Sequence, residues 1–336
     1  MKIFVTGGAG YIGGTVADLL TKKGHKAVVF DNLSHSRREL IPPGVEFIQG
    51  ELADRAVIER IFNEAKDLGE PFDGVLHFAA LIEAGESMQK PEIYFRNNTA
   101  STLSLLEAVL SCGPKRLVFS STAAVYGEPE VVPILEDAKL CPTNAYGHSK
   151  LLVEQMLAWF HRIHGLRYAS LRYFNVAGAP EGPAGVTRGE AHEPETHLIP
   201  LVLDVALGRR NSIRIYGEDY PTPDGTCIRD YIHVSDLADA HLLALEALGT
   251  GGEKQPLVYN LGNGQGFSVR DVIESARRVT GHPIPVENCP RRPGDPAVLV
   301  ASSEKAIREL GWKPRYTEID GILRTAWAWH QKRYTI

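Results

Sequence analysis

Tyr146 and Lys150 lie four residues apart in Tyr146-Gly147-His148-Ser149-Lys150, near the start of a stretch whose apolar spacing predicts a helix. Residues i and i+4 share a helical face, so this spacing sets an ammonium beside a phenol. A free tyrosine titrates at about 10 and is a poor base near neutrality. A nearby positive charge favours phenolate and fits it for proton transfer. Ser120-Ser121-Thr122 closes an earlier apolar run and could bring a hydroxyl into a relay with Tyr146.

A second group of residues could hold a large anion. Gly7-Gly8-Ala9-Gly10-Tyr11-Ile12-Gly13 follows the short apolar run from Lys2 to Thr6 and opens a helical stretch that Gly24 stops. Its spacing is Gly8-x-Gly10-x-x-Gly13, overlaid by Gly7-x-x-Gly10-x-x-Gly13. Glycines let the backbone turn sharply and approach a pyrophosphate, while a helix N-terminus offers free N–H groups to its oxygens. Asp31 ends the next apolar run, 21 residues beyond Gly10. A carboxylate there can accept bonds from both hydroxyls of an adenosine ribose and would repel a 2′-phosphate. The pattern predicts a dinucleotide site for NAD rather than NADP, with Arg37 and Arg38 close enough to weaken that preference. An oxidised nicotinamide would add a second positive charge beside Tyr146.

These groups need a scaffold that gathers them. Apolar runs at Lys2–Thr6, Ala27–Phe30, Val45–Ile48, Val75–Phe78, Arg116–Ser120 and Tyr168–Phe174 are separated in several places by helical patterns, at Arg55–Lys66, Thr99–Leu110 and Tyr146–His164. Such alternation implies a parallel sheet covered on both faces, with ligands at the carboxyl ends of its strands. The expected fold is α/β: a Rossmann-type doubly wound parallel sheet with a smaller C-terminal α/β substrate domain. Residues 1–177 are expected to form the NAD-binding domain, completed by elements around 230–262. Residues 178–336 are expected mainly to bind substrate. Ala179 to His197 is rich in Gly, Pro and Glu and reads as a long loop of the functional or disordered kind. Shorter mixed elements follow at Leu198–Leu207, Ser235–Leu248, Val269–Thr280 and Ser303–Leu310.

Bulk properties narrow the partners. The net charge is −5, and the basic pairs Arg37-Arg38 and Arg291-Arg292 are too small for a polyanion groove, so no nucleic acid is expected. No apolar stretch approaches the ~18 residues that span a membrane, and no membrane partner is expected. The first residues already read as a strand, so a secretory leader is not expected. Cys112, Cys141, Cys227 and Cys289 fit no zinc spacing and read as free thiols of a cytoplasmic protein. No metal site is expected.

Taken together, these residues resemble the extended short-chain dehydrogenase/reductase family over nearly the whole chain. The marks are Thr6–Gly13, Asp31-Asn32-Leu33-Ser34, His77-Phe78-Ala79-Ala80, Gly85-Glu86-Ser87, Ser121–Gly127, Tyr146–Lys150 and Arg172-Tyr173-Phe174-Asn175. The second half adds Asp219–Thr226, Arg229–Val234 and Arg291-Arg292-Pro293-Gly294-Asp295, of which the Asp219 run is the most distinctive. The resemblance implies reversible 4-epimerisation of a UDP-hexose, between UDP-galactose and UDP-glucose, with tightly bound NAD. It implies a homodimer through Thr99–Leu110 and Tyr146–His164. Tyr146 would be the acid/base, with Lys150 on the nicotinamide ribose and Thr122 on the sugar hydroxyl. The NAD site would take Gly7, Gly10, Tyr11, Ile12, Gly13, Asp31, Asn32, Leu33, Ser34, Ser36, Glu51, Leu52, Phe78, Ala79, Ala80, Asn97, Tyr146, Lys150 and Phe174. The UDP-sugar would meet Thr122, Tyr146, Phe174, Asn175, His197, Leu198, Arg229, Arg292, Asp295 and Leu299. Two guanidinium forks, Arg229 and Arg292, suit a pyrophosphate, and Asp295 would meet the uridine end.

The chain also departs from the family pattern. Thr122 stands for a frequent Ser, Gly14 for a Ser, Glu51 for an Asp near the adenine, and His197 for an Asn on the substrate loop. Leu299 occupies the place where Tyr or a small residue bears on acceptance of N-acetylated sugars. Nucleotide-sugar dehydratases carry Thr-Asp-Glu where Thr122-Ala123-Ala124 stand, and the related decarboxylases keep a Glu there. Alanine can neither remove nor deliver a proton, so both are disfavoured. Epimerisation of another UDP-sugar, N-acetylated or pentose, stays open. A cofactor-sensing binding protein would not need the Tyr146/Lys150 pair. An NAD-exchanging reductase would not need the Arg229/Arg292 clamp.

Overall fold

The computed structural model describes residues 1–182, 185–249, 255–292 and 295–335, so Pro293 and Gly294 of the Arg291 run lie outside the described residues. The strands of the first half are β1 (Lys2–Thr6), β2 (Lys26–Asp31), β3 (Glu46–Gln49), β4 (Gly74–His77), β5 (Arg116–Thr122) and β6 (Arg167–Tyr173). Then come β7 (Asn175–Ala177), β8 (Glu181–Gly182), β9 (Gly185–Val186), β10 (Ile213–Tyr216), β11 (Ile228–Arg229) and β12 (Tyr231–His233). The last are β13 (Leu257–Leu261), β14 (Phe267–Ser268), β15 (Val286–Cys289) and β16 (Val298–Leu299). The helices run α1 (Tyr11–Lys22), α2 (Arg55–Asp67), α3 (Ala84–Ser87), α4 (Pro91–Tyr94), α5 (Ser101–Cys112) and α6 (Ala145–His164). They continue with α7 (Leu198–Ala206), α8 (Val234–Ala247), α9 (Val269–Thr280), α10 (Glu304–Leu310) and α11 (Ile319–Thr335).

The expected sheet is present, with seven strands in the order β3-β2-β1-β4-β5-β6-β13. Every pairing in it is parallel, so all seven carboxyl ends lie on one edge. Side chains alternate along a strand, which sends Ile3 and Val5 of β1 to one face and Phe4 to the other. The first face is covered by α1 and α8, through Val16, Leu20, Leu237 and Leu245. The second is covered by α2, α5 and α6, through Ile58, Phe62, Leu105, Leu106, Val153 and Leu157. Each fully buried aliphatic or aromatic side chain of this kind contributes about 1.5–3 kcal/mol. Both faces are dry, so the strands read as short apolar runs and not as alternating ones.

The last part of the chain divides itself between two cores. Helices α7, α9 and α11 with β10 enclose Val202, Leu203, Ile213, Ile215, Val272, Ile273, Ile322 and Leu323. In between, β12 pairs with β7, α8 packs on the sheet, and β13 becomes its seventh strand. Ala306 of α10 and the fully buried Trp312 join that same face. Among its described residues, the Ala179–His197 stretch is irregular apart from the antiparallel pairing of β8 with β9. Helix α5 begins later than its periodicity predicts, because Phe95–Ala100 forms a π-helical turn first. Asn98 in that turn bonds both backbone groups of Leu81, at 2.8 and 2.9 Å, which fixes the segment after β4. Among the described residues, no helix is long and apolar enough to cross a membrane.

Helix α6 is set against the sheet by a buried ion pair. Glu154 accepts from Arg172 Nε at 3.0 and 3.2 Å and from Nη2 at 2.6 Å. The same carboxylate accepts from the Ser121 hydroxyl at 2.5 Å. Arg172 Nη1 donates to the Tyr126 hydroxyl and the Glu136 carbonyl, each at 2.9 Å. At its start, α6 is capped by Asn144, whose Oδ1 accepts from Gly147 N at 2.8 Å. It ends at Gly165, which takes the left-handed conformation at φ 68°.

Candidate active site

The carboxyl edge of the sheet gathers most of the residues picked out above. The glycine turn follows β1, Asp31 ends β2, Glu51 and Leu52 follow β3, Phe78–Ala80 follow β4, Thr122 ends β5 and Phe174 follows β6. Gly7 adopts φ 69°, and a Cβ there would lie 2.5 Å from the Ala79 backbone nitrogen. A Cβ on Gly13 would lie 2.4 Å from the Gly7 carbonyl oxygen. Both glycines are therefore required by close backbone approach. Gly10 caps α1 without a side-chain bond, leaving the first N–H groups of the helix to face a ligand.

Asp31 organises the rim of this cradle. Its Oδ2 accepts from Ala9 N at 3.1 Å, and its Oδ1 accepts from Leu33 N at 2.8 Å and Ser36 Oγ at 3.1 Å. A carboxylate has about four lone-pair sites, so capacity remains for a ribose hydroxyl. Asn32 donates to both Glu51 oxygens, at 3.3 and 3.1 Å, and accepts from Ser34 N. Leu33, at φ 62°, takes the tight conformation between them. Asn97 turns to Asn98, donating at 3.0 Å. The Phe78 ring lies 4.8 Å from that of His241. Ala80 sits in the same segment, just before Leu81.

Tyr146, Lys150 and Glu154 recur every four residues and so share one face of α6. Lys150 is buried, donates to the Ser120 carbonyl at 2.8 Å, and lies 4.9 Å above the Phe119 ring. The Thr122 hydroxyl lies close enough to the Tyr146 phenol to favour its charged form. Gly147 lets α6 come this close, because a Cβ there would lie 2.6 Å from the Ala124 carbonyl. Burial pushes the Tyr146 phenol above its ordinary value, Thr122 draws it back, and the Glu83 charge adds to the rise. Burial pushes Lys150 down to about 7. The expected lowering of Tyr146 calls for the ammonium and a nicotinamide charge together; in the bare chain burial is the largest influence on the phenol. Burial disfavours the phenolate, which a positive charge placed beside it would favour.

Residues from the second lobe reach the same edge through β12, which pairs with β7 directly after Phe174. Asn175 stands in that pairing, opposite Tyr231. Arg229 on β11 is paired in register with Leu299 on β16 and bonds Asp295. Arg292 lies 3.9 Å over the Tyr216 ring, while Arg291 binds Asp219 and covers Tyr220. The distinctive Asp219–Thr226 run is a folded turn that supplies Tyr220 as the seat of Arg291, while Tyr216 under Arg292 ends β10. Phe174, Leu299 and Ala301 share one small apolar cluster. His197 caps α7, whose first residue is Leu198.

A profile of the NAD dependent epimerase/dehydratase family matches residues 3–262. The chain belongs to that family. It is 54% identical over 329 residues to a UDP-glucose 4-epimerase of Streptomyces lividans, with 98% of this chain and 96% of that one covered. A crystal structure of a UDP-glucose 4-epimerase superposes with a TM-score of 0.93 at 49% identity, covering 99% of this chain and 98% of the other. The enzyme of that name from Bifidobacterium longum, solved in complex with NAD+ and UDP, gives a TM-score of 0.90 at 39% identity, covering 99% and 98%.

Within the family pattern, one departure has a visible reason. Gly14 leaves room for Arg188, since a Cβ on it would lie 2.4 Å from Arg188 Nη1. Arg188 is buried and donates to the Leu40 carbonyl at 2.7 Å. Two other features escaped the sequence reading. Asn98 carries the bonds beneath the site, although Asn97 beside it was the residue singled out. Glu190, His192, Glu195 and His197 converge as a possible metal set, a grouping that cysteine spacing could not reveal. The Glu-x-His-x-x-Glu-x-His spacing was the available signal.

Burial of Lys150 makes its proton a stability term. Its folded value, about 7, lies below the ordinary 10.5. Below the folded value both states carry the proton and the fold bears the whole penalty. Between the two values the unfolded chain holds the proton and the fold does not, so stability rises with pH. In dinucleotide-free protein, the unfolding free energy of wild type relative to Lys150→Met should therefore climb from about pH 7 toward 10.5. Denaturant titrations at several pH values measure it, and a difference that stays flat would contradict the burial assigned to Lys150.

Proposed function

We propose that this protein interconverts UDP-galactose and UDP-glucose by transient oxidation at C4 with tightly held NAD. The observation that carries this reading is the meeting of Tyr146, Thr122 and Lys150 beside the glycine cradle on one sheet edge. The chain's own residues fit the cofactor: Gly7 and Gly13 sit where any Cβ would strike backbone, the α1 N-terminus has no side-chain cap, and Asp31 has acceptor capacity left. Gly10, Tyr11 and Ile12 would cradle the pyrophosphate, and Phe78–Ala80, Asn97 and Phe174 would enclose the nicotinamide half. Held there, NAD would supply a reversible hydride acceptor for the sugar C4.

Tyr146 phenolate removes the proton of the C4 hydroxyl, while Thr122 donates to that oxygen. Lys150 holds the nicotinamide ribose and keeps positive charge near the phenol. Arg229 and Arg292 leave their present partners, Asp295 and Tyr216, to grip the diphosphate. Asn175, His197 and Leu198 border the sugar. The 4-keto sugar remains tethered through UDP and turns its other face, and Tyr146 then gives the proton back. Ala123 and Ala124 hold no proton to give, so water elimination does not compete. The sheet with its glycine cradle acts as the cofactor half, and α7, α9, α11 and β10 as the substrate half. The four free thiols suit a cytoplasmic location.

Purified protein incubated with UDP-galactose and no added cofactor should produce UDP-glucose, separated by chromatography. Tyr146→Phe should retain UDP binding and lose turnover by 10²-fold or more, within the usual range of about 10²–10⁴ for a positioned acid/base. A variant that keeps most of its activity would remove Tyr146 from the role. We also propose a homodimer through α5 and α6. Leu103 and Leu110 are 38% and 39% exposed on α5, and Trp159 and Ile163 are 59% and 63% exposed on α6. Their spacings, i,i+7 and i,i+4, put each pair on one helical face. Trp159→Glu with Ile163→Glu should shift the mass measured by light scattering from two chains to one. An unchanged mass would place any contact elsewhere.

A further inference from the structure

Glu190, His192, Glu195 and His197 lie in the loop between β9 and α7, and their ligating atoms all fall within 4.8 Å of one another. His192 Nδ1 is 3.0 Å and His197 Nδ1 3.1 Å from Glu190 Oε1. His197 Nδ1 is 2.8 Å from Glu195 Oε1. A tetrahedral ion with bonds of 2.0–2.1 Å separates its ligands by about 3.3 Å. Three of the six separations are thus close to that spacing, and all six lie within 4.8 Å.

The loop is held in this shape from outside. Trp329 Nε1 on α11 donates to the Glu190 carbonyl at 2.8 Å, and a Cβ on Gly189 would strike the same indole ring at 2.3 Å. Thr196 Oγ1 donates to Glu83 at 2.7 Å. Glu195 Oε1 accepts from the backbone of Thr196 and His197, each at 2.9 Å. The other oxygen, Glu195 Oε2, is buried and has no hydrogen-bond partner. The side chains of Glu190 and Glu195 are only 10% and 11% exposed. Two carboxylates taken out of water side by side need a cation.

We propose that Glu190, His192, Glu195 and His197 bind one structural divalent transition-metal ion, zinc by the nature of the donors. Two imidazoles with two carboxylates match zinc, whereas calcium and magnesium prefer all-oxygen sites. A doubly charged ion also balances the two carboxylates. The ion would tie the loop to itself directly beside Tyr11, whose phenol feels both carboxylates. His192 also borders the groove lined by Gly10, Tyr11 and Ser36, so the ion would stiffen that wall. The site stands whether or not NAD occupies the groove.

The test uses the full-length protein, stripped with a chelator and dialysed against Zn²⁺ or Co²⁺. Plasma mass spectrometry should find one ion per chain, and the Co²⁺ form should show the intense visible bands of four-coordinate cobalt. Zn²⁺ should raise the melting temperature of wild type. His192→Ala and Glu195→Gln should each weaken binding by 10-fold or more, on the order of what ligand-shell losses cost. Glu193→Gln changes the same charge in the same loop but on an exposed side chain that faces Arg37 and Arg333, and should bind as wild type does. Substoichiometric Zn²⁺ and Co²⁺ in the wild type, or equal binding by all three variants, would overturn the site and leave an ion-pair network.

Discussion

Glu154 on α6 takes the guanidinium of Arg172 from β6 and the hydroxyl of Ser121 from β5, and the pair is buried. Breaking such a pair by removing one partner costs about 3–5 kcal/mol, because the other charge is left uncompensated. That cost holds one face of α6 to the ends of two neighbouring strands. Lys150 and Tyr146 follow on the same face, one and two turns toward the helix start. The Ser120 carbonyl receives Lys150, and Thr122 meets Tyr146. Three consecutive residues of β5 are thus read by three consecutive turns of α6.

Burial works against both charges the chemistry needs. It raises Tyr146 and lowers Lys150, so the bare site favours a neutral phenol and a weakly held ammonium proton. On the function proposed above, the site becomes basic only once the cofactor's positive charge joins it, which would link proton transfer to cofactor binding by electrostatics. The two arginines proposed to grip the diphosphate follow similar logic. Arg229 rests on Asp295 and Arg292 on Tyr216, so neither guanidinium waits unpaired.

Much of this was legible because it is local. Short apolar runs between helical patterns define a parallel sheet, and parallel pairing forces the glycine turn, Asp31, Phe78 and Thr122 to one edge. The i,i+4 spacing of Tyr146 and Lys150 needs only helix geometry. What the sequence concealed depends on distant packing. The expectation of a completing element around 230–262 does not say which strand it joins: β13 pairs with β6 from 84 residues away, counting Leu257 against Tyr173, and α11 is too mixed in polarity to announce its core face. Gly14 looks like a lost hydroxyl until Arg188 is seen in the space a side chain would take. The His/Glu cluster has a readable spacing, but only α11 and Glu83 show that the loop folds its four side chains inward.

The central claim is that one hydride leaves C4 and returns to the same carbon while Tyr146 handles the proton. Converting UDP-galactose that carries deuterium at C4, in ordinary water, measures this directly by NMR of the product. The account predicts UDP-glucose with the deuterium retained at C4. Loss of the label to solvent would contradict it, since C4 would then be epimerised by proton exchange and not by hydride transfer.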